Sequence, residues 1–140
     1  SREKTMPEDL PERLEAGTVN VPGAAGLAVG IRLVRGMTPE KIFARGHGQT
    51  MACGRALEEM GYRVFTGPHQ AMTLSFQGKA DCEEIAEALG SRGIAVRAGL
   101  HCAPLAHESA GTLEKGTVRI SFGHDASPAQ TNALLRALGV

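Results

Sequence analysis

The sequence has no tryptophan, one tyrosine and four phenylalanines in 140 residues. A core without large aromatics must rely on aliphatic side chains. Yet Leu, Ile, Val and Phe together supply only 30 of the 140 residues, close to the share of about 20% below which chains tend to disorder. So lean a count suits a piece that buries a face against other polypeptide. Net charge is also missing, because 15 Lys and Arg balance 15 Asp and Glu. That excludes a strongly basic nucleic-acid-binding domain and an acidic disordered tail as readings of the whole chain. No apolar run reaches the roughly 18 residues that would suggest a membrane span, and no basic-then-apolar leader is visible. The chain opens on Ser1, so the natural start is expected to lie upstream or to have been removed. The cysteines are Cys53, Cys82 and Cys102, an odd number without CxxC spacing. A disulfide framework is not expected, and a reducing cytoplasm is the default location.

Glycine is plentiful, at 18 of 140 against a usual share of about 7%. Residues 1–36 read as an irregular segment followed by a small-residue helix over Ala24–Val34 that Gly36 ends. Residues 37–140 read as an α+β domain. Thr38-Pro39-Glu40 has the chemistry of a helix start, with Thr38 as cap and Pro39 in the first turn. A helical rhythm then runs through Ile42, Gly46, Cys53, Leu57 and Met60. Tyr62–Phe65 and Ala71–Phe76 read as strands, the second with Met72, Leu74 and Phe76 on one face. Asp81 opens a helix, with Glu84 placed for a reciprocal cap. Ile94–Arg97 reads as a short strand, residues 98–116 as a loop, and Thr117–Ser121 as a strand that points Val118 and Ile120 one way and Arg119 the other. Ser127-Pro128 with Gln130 forms a capping box for a last helix through Thr131, Leu134, Leu135 and Leu138. The pattern predicts a small, mostly antiparallel or mixed sheet with helices packed on it.

Three segments could carry chemistry. In Arg97-Ala98-Gly99-Leu100-His101-Cys102-Ala103-Pro104-Leu105, a cysteine follows a strand, beside a histidine and five residues past an arginine. Positive neighbours favour the thiolate, which is the nucleophilic form; a small buried cysteine in a packed loop is the bland alternative. His101, Cys102 and His107 with Cys82 or Cys53 could form a metal set, but their spacing matches no usual zinc pattern. A Cys-His protease would need an orienting group and an oxyanion hole that have no local signature. Arg119 could grip a carboxylate through two parallel hydrogen bonds, or be a solvated strand arginine. Gly17-Thr18, ahead of the first helix, offers backbone N–H groups and a hydroxyl suited to phosphate, as ordinary turns also do.

Together and in this order, these segments resemble the C-terminal part of the cysteine desulfurases and selenocysteine lyases, pyridoxal-phosphate enzymes of the class V aminotransferase family. The resemblance starts at Pro11-Glu12-Arg13-Leu14-Glu15-Ala16-Gly17-Thr18 with Asn20 and Pro22-Gly23. It resumes at Gly93-Ile94-Ala95-Val96-Arg97, Gly99 and His101-Cys102-Ala103-Pro104-Leu105-Ala106-His107. It closes with Gly111-Thr112 and Gly116-Thr117-Val118-Arg119-Ile120-Ser121. The stretch Met37–Gly90 matches mainly by element order, and the loop is similar to that of the Arg-x-Gly-x-His-Cys subgroup. The resemblance implies that Cys102 accepts sulfur from L-cysteine as a persulfide and that His101 beside it handles a proton. It implies that Arg119 binds the substrate carboxylate with Arg97 near the site, and that Gly17 and Thr18 reach the cofactor phosphate of the partner subunit in a homodimer. It further implies pyridoxal 5'-phosphate held by a large domain of the same polypeptide, linked through residues 1–36, and a sulfur-acceptor protein serving iron–sulfur assembly. These families place a lysine after a histidine to hold the cofactor, whereas Lys4, Lys41, Lys79 and Lys115 follow none, so the chain alone is expected to be inactive. Where relatives open the last helix with Asn-Thr, this chain has Asp125-Ala126-Ser127. A stand-alone sulfur carrier or binding module is the alternative of another class. A class V epimerase or transaminase is a further one, although those reactions need no thiol.

Overall fold

The computed structural model describes residues 5–15 and 17–139; Lys4 and Ala16, both named above, lie outside them. The chain divides into two compact units, Ser1–Met37 and Thr38–Val140.

The first unit holds a short 3-10 turn, Glu12–Leu14, and helix α1, Val21–Met37. Asn20 starts α1, its side-chain oxygen accepting from the Gly23 N–H at 2.9 Å, which satisfies one of the helix's free N-terminal donors. This cap explains why the helix begins three residues before the expected Ala24. Gly36 does not end it either; it lies inside the last turn. No residue of α1 is buried within the structure, and Val21, Leu27, Val29 and Ile31 are exposed. A helix apolar all round is characteristic of one that packs inside a larger body.

The second unit orders its elements as α2 (Pro39–Glu59), β1 (Arg63–Phe65), β2 (Thr73–Gln77), α3 (Cys82–Gly90), β3 (Arg97–Gly99), α4 (Pro104–Ala110), β4 (Thr117–Ser121) and α5 (Pro128–Leu138). The strands form one antiparallel sheet in the order β1-β2-β4-β3. The domain is therefore α+β with an antiparallel sheet, as the sequence predicts. Leu74 and Phe76 of β2 and Val118 and Ile120 of β4 lie on its core face. They pack with Cys53 and Leu57 of α2, Ile85 and Leu89 of α3 and Leu134 of α5. Complete burial of Phe76, Leu57, Leu74, Leu89 and Val118 contributes about 1.5–3 kcal/mol each before conformational entropy is counted. No described helix is long and apolar enough to cross a membrane.

Several expectations need correction. Thr38 precedes α2, but its φ of 64° lies outside the extended region a capping side chain needs, and no capping bond forms. At α3 the Asp81 carboxylate accepts from the Cys82 N–H at 3.0 Å and no reciprocal bond from Glu84 forms. The strand expected at Ile94–Arg97 starts only at Arg97, because Gly93 turns the chain at φ +74 and Ile94 donates back to Leu89. The expected loop 98–116 contains the short helix α4. The strand Thr117–Ser121 and the capping box of α5 are as predicted.

The glycines of α2 do not interrupt it, and packing accounts for one of them. A Cβ at Gly46 would stand 2.8 Å from Met72 Cγ and 3.3 Å from Met72 Cβ, whereas one at Gly48 would meet nothing within 4 Å. Gly48→Ala is therefore expected to raise unfolding stability by about 0.5–1 kcal/mol through helix propensity. Gly46→Ala should lower it by about 1–3 kcal/mol through overpacking. Urea denaturation of the two variants checks this; equal effects of one sign would contradict the packing argument.

Candidate active site

The site is built by the register of β4. Arg119 pairs with Arg97 of β3 on one side and with Ser75 of β2 on the other, and Ser75 pairs with Phe65 of β1. Residues paired directly across antiparallel strands project to the same face. Phe65, Ser75, Arg119 and Arg97 thus form a row across the face opposite the core. Thr117, two residues before Arg119, joins that face. α4 lies over part of it, where Phe65, Ser75, His107, Thr112 and Thr117 line a recess of about 170 Å³.

Among the described residues the two arginines have no acidic partner: neither makes an ion pair, and the half-buried Arg119 has its Nε withdrawn from solvent without a hydrogen-bond acceptor. Like charges directly opposite on a sheet repel, and an unsatisfied buried donor carries a desolvation penalty. An anion seated between them relieves both. A carboxylate suits the planar fork of a guanidinium best, because it accepts two parallel hydrogen bonds.

The loop leaving β3 carries His101 and Cys102 at φ 52° and 59°. Left-handed backbone at two residues with a Cβ is uncommon. Cys102 is exposed, in contrast to Cys53 and Cys82, which are buried. Burial pushes the Cys53 thiol up to about 11. Burial, followed by the hydrogen bond to Glu83 at 2.9 Å, raises that of Cys82. His101 Nε2 lies 3.1 Å from Thr117 Oγ1, and its Nδ1 is buried without a partner. Burial foremost, then the positive charge of Arg119, lowers the His101 pKa below its ordinary 6.5, against a smaller opposing contribution from Thr117. A neutral imidazole can accept or donate a proton at either nitrogen.

The structure therefore brings Arg97, Arg119, His101 and Cys102 into one unit, on two paired strands and the loop between them. Gly17, at φ +93, and Thr18, exposed, belong to the other unit. The alternative metal set does not assemble. Among the described residues only Asp81, Cys82 and Glu83 bring three candidate ligand atoms within 4.8 Å of one another. Ser75 and Thr117 were missed by sequence reasoning. Thr117 was open to inference from the two-residue period of β4; Ser75 depends on register, which no local signal encodes.

Two measurements test this geometry. Brief alkylation of the native chain with iodoacetamide, followed by peptide mass mapping, should modify Cys102 well before Cys53 or Cys82. Equal labelling of all three would contradict the burial difference. Because His101 has a lowered pKa in the folded state, the unfolded chain binds its proton more readily. Its contribution to stability is then full above the ordinary 6.5 and is lost as pH falls from there through the lower folded value. His101→Gln should flatten the decline of denaturation midpoint below that pH, and a slope identical to that of the parent chain would refute the shift.

Comparison with known proteins gives this face a context. The profile of the family aminotransferase class-V matches residues 1–134. A cysteine desulfurase of Synechococcus elongatus is 42% identical over 106 residues, covering 72% of this chain and 17% of that protein. A probable cysteine desulfurase of Vibrio cholerae is 32% identical over 139 residues, covering 92% of this chain and 32% of its own length. The apo structure of a cysteine desulfurase from Thermococcus onnurineus NA1 superposes with a TM-score of 0.82 at 30% identity, over 92% of this chain and 33% of that one. The chain thus spans a third or less of these relatives. It belongs to the class-V aminotransferase family, and these relatives are described as cysteine desulfurases or probable cysteine desulfurases.

Proposed function

We propose that this chain is the sulfur-accepting, substrate-gripping part of a cysteine desulfurase, the C-terminal small domain of a longer enzyme. What carries the reading is one juxtaposition: an exposed thiol on the loop that leaves a strand whose Arg97 stands opposite the unpaired Arg119. In this reading Arg119 holds the carboxylate of L-cysteine and Arg97 adds positive charge beside it. Cys102, as thiolate, forms an S–S bond to the substrate sulfur as the substrate's carbon–sulfur bond breaks. The electron pair of that bond stays on the carbon skeleton, which takes up a proton and leaves as L-alanine. One thiol and one cysteine become one persulfide and one alanine, so no outside oxidant or reductant is needed. His101, neutral and next in sequence to Cys102, is suited to take the thiol proton. The persulfide then passes to a sulfur-acceptor protein for iron–sulfur assembly, in a reducing cytoplasm that keeps Cys102 a free thiol between turnovers.

The described residues fit the substrate end of such a site and not the whole of its cofactor. Lys41, Lys79 and Lys115 are all exposed and none lies in the strands that carry the site, so among the described residues no lysine stands at the site to supply the amine that would hold pyridoxal phosphate. Bound elsewhere in the intact enzyme, that group supplies an electron sink for breaking the substrate's carbon–sulfur bond. Gly17 and Thr18 are our candidates for its phosphate across a homodimer, since a left-handed glycine turn frees backbone N–H groups toward an anion. The large domain of the same polypeptide would cover the exposed apolar faces of α1.

The test uses this chain joined to a cofactor-holding domain. Cys102→Ala should abolish persulfide formation and sulfur transfer while leaving the cofactor's absorbance. Arg119→Ala should lower kcat/KM for L-cysteine by about 10- to 100-fold, the loss of a charge-assisted hydrogen-bonded pair, mainly through KM. Sulfur transfer that survives Cys102→Ala removes the acceptor assignment. A persulfide adduct on Cys102 in the 140-residue chain alone, formed from a small sulfur donor, would favour the stand-alone carrier instead.

A further inference from the structure

Left-handed backbone at His101 and Cys102, φ 52° and 59°, costs free energy at each residue and persists only where surrounding groups over-determine it. Two groups bear on the His101 ring. Thr117 Oγ1 lies 3.1 Å from Nε2. The ring of His107 stands 5.7 Å away, centroid to centroid, tilted by 46°. His107 is only 7% exposed, and the way α4 ends fixes its ring. The helix closes in a Schellman motif: the Gly111 N–H donates to the Glu108 carbonyl at 3.1 Å and the Thr112 N–H to the His107 carbonyl at 2.8 Å, with Gly111 left-handed at φ 66°. This closure carries the Thr112 hydroxyl onto the ring, with Oγ1 2.8 Å from His107 Nδ1 and 3.3 Å from the His107 carbonyl oxygen.

The hydroxyl has a single proton. Given to the carbonyl, it leaves Oγ1 to accept from an Nδ1–H, and both contacts are hydrogen bonds. Given to Nδ1, it makes an O–H···N bond, and the carbonyl keeps the Thr112 N–H that it already accepts. In either arrangement the hydroxyl bonds the ring at Nδ1, so His107 is held twice by Thr112, once through the backbone and once through the side chain.

We propose that His107 is a positioning residue for the sulfur-bearing loop: its ring, clamped by Thr112, packs beside the His101 ring, whose Nε2 Thr117 holds, and so keeps Cys102 in the left-handed conformation that presents its thiol. The inference rests on the desulfurase reading for the use of that thiol, but its test does not involve sulfur transfer. His107 acts through His101 and touches no reacting atom.

Two variants of the 140-residue chain divide the clamp. Thr112→Val removes the side-chain bonds and keeps the ring. His107→Asn keeps an amide N–H for Thr112 and removes the ring beside His101. In both, the ring nitrogen resonances of His101 should shift. The amide–Hα couplings of His101 and Cys102 should move away from left-handed values, and the alkylation rate of Cys102 should change by about threefold or more as the strained conformation relaxes. Amide signals of Phe76 and Val118 should stay in place, and Thr112→Ser, which keeps the hydroxyl, should match the parent chain. Unchanged couplings and alkylation in both variants would overturn the proposal. So would a change at Cys102 without one in the His101 ring, because the contact would then not act through His101. If His107→Asn does not fold, Thr112→Val decides alone. Failure of the desulfurase reading has a different signature: sulfur transfer persists in Cys102→Ala while the coupling between His107 and His101 remains.

Discussion

Antiparallel pairing of β3 with β4 is the constraint on which the candidate site depends. It sets Arg97 across from Arg119, Ala98 across from Val118 and Gly99 across from Thr117. A slip of one residue would turn Arg119 into the core and Val118 toward the recess, since the side-chain period of a strand is two. The register is fixed from the core side, where Val118 and Ile120 lie with Leu74, Phe76 and the helices behind them. Two cations are thus held together by apolar packing on the opposite face, and among the described residues neither has an ion-pair partner of its own. The hydrophobic effect supplies what electrostatics opposes, and the opposing electrostatics is what an anionic substrate can relieve.

Glycine has a specific part at the end of this pairing. Gly116 enters β4 at φ +59, where an added Cβ would stand 3.0 Å from the Gly99 Cα and 3.0 Å from Cys82 Sγ. β3 and the turn into β4 can approach so closely only because Gly116 lacks a side chain. Gln77 of β2 seals the same corner through a hydrogen bond from its Nε2 to the Gly116 carbonyl at 2.7 Å. The corner anchors the start of β4 and therefore Thr117, which holds His101.

Elements whose signal is local were legible in the sequence. β4 could be read from alternation alone, and Ser127-Pro128 with Gln130 marks the start of α5 because a capping box is satisfied within four residues. α4 was not legible: Pro104 and Gly111 are seven apart, and of the apolar residues between them Leu105 and Ala106 are exposed and Ala110 only half-buried, which marks no face. The residue that α4 buries is His107, whose partner Thr112 is supplied by the chain after the helix. β3 was displaced because Gly93-Ile94 are drawn back toward Leu89, a tertiary preference with no mark in the run Ile94–Arg97. Of the site, the roles of Cys102 and Arg119 could be framed from neighbouring residues and strand parity. The pairing of Arg97 with Arg119 could not, because it depends on strands separated by a helix in the chain.

The departures from ordinary folding rules concentrate in one place. Within the second unit, buried polar groups such as Thr50 and Thr131 find partners, Thr50 on the Gly46 carbonyl and Thr131 on Gln49. The side-chain atoms buried without a partner among the described residues are His101 Nδ1 and Arg119 Nε. Two of the three non-glycine residues at positive φ are His101 and Cys102. Unpaired donors and left-handed backbone both cost stability, and chains keep such features where another requirement outweighs folding. Had they been scattered, each would be a separate packing defect. Gathered on one strand and the loop entering it from β3, beside an exposed thiol, they mark the surface to which the proposed function assigns a small anionic substrate.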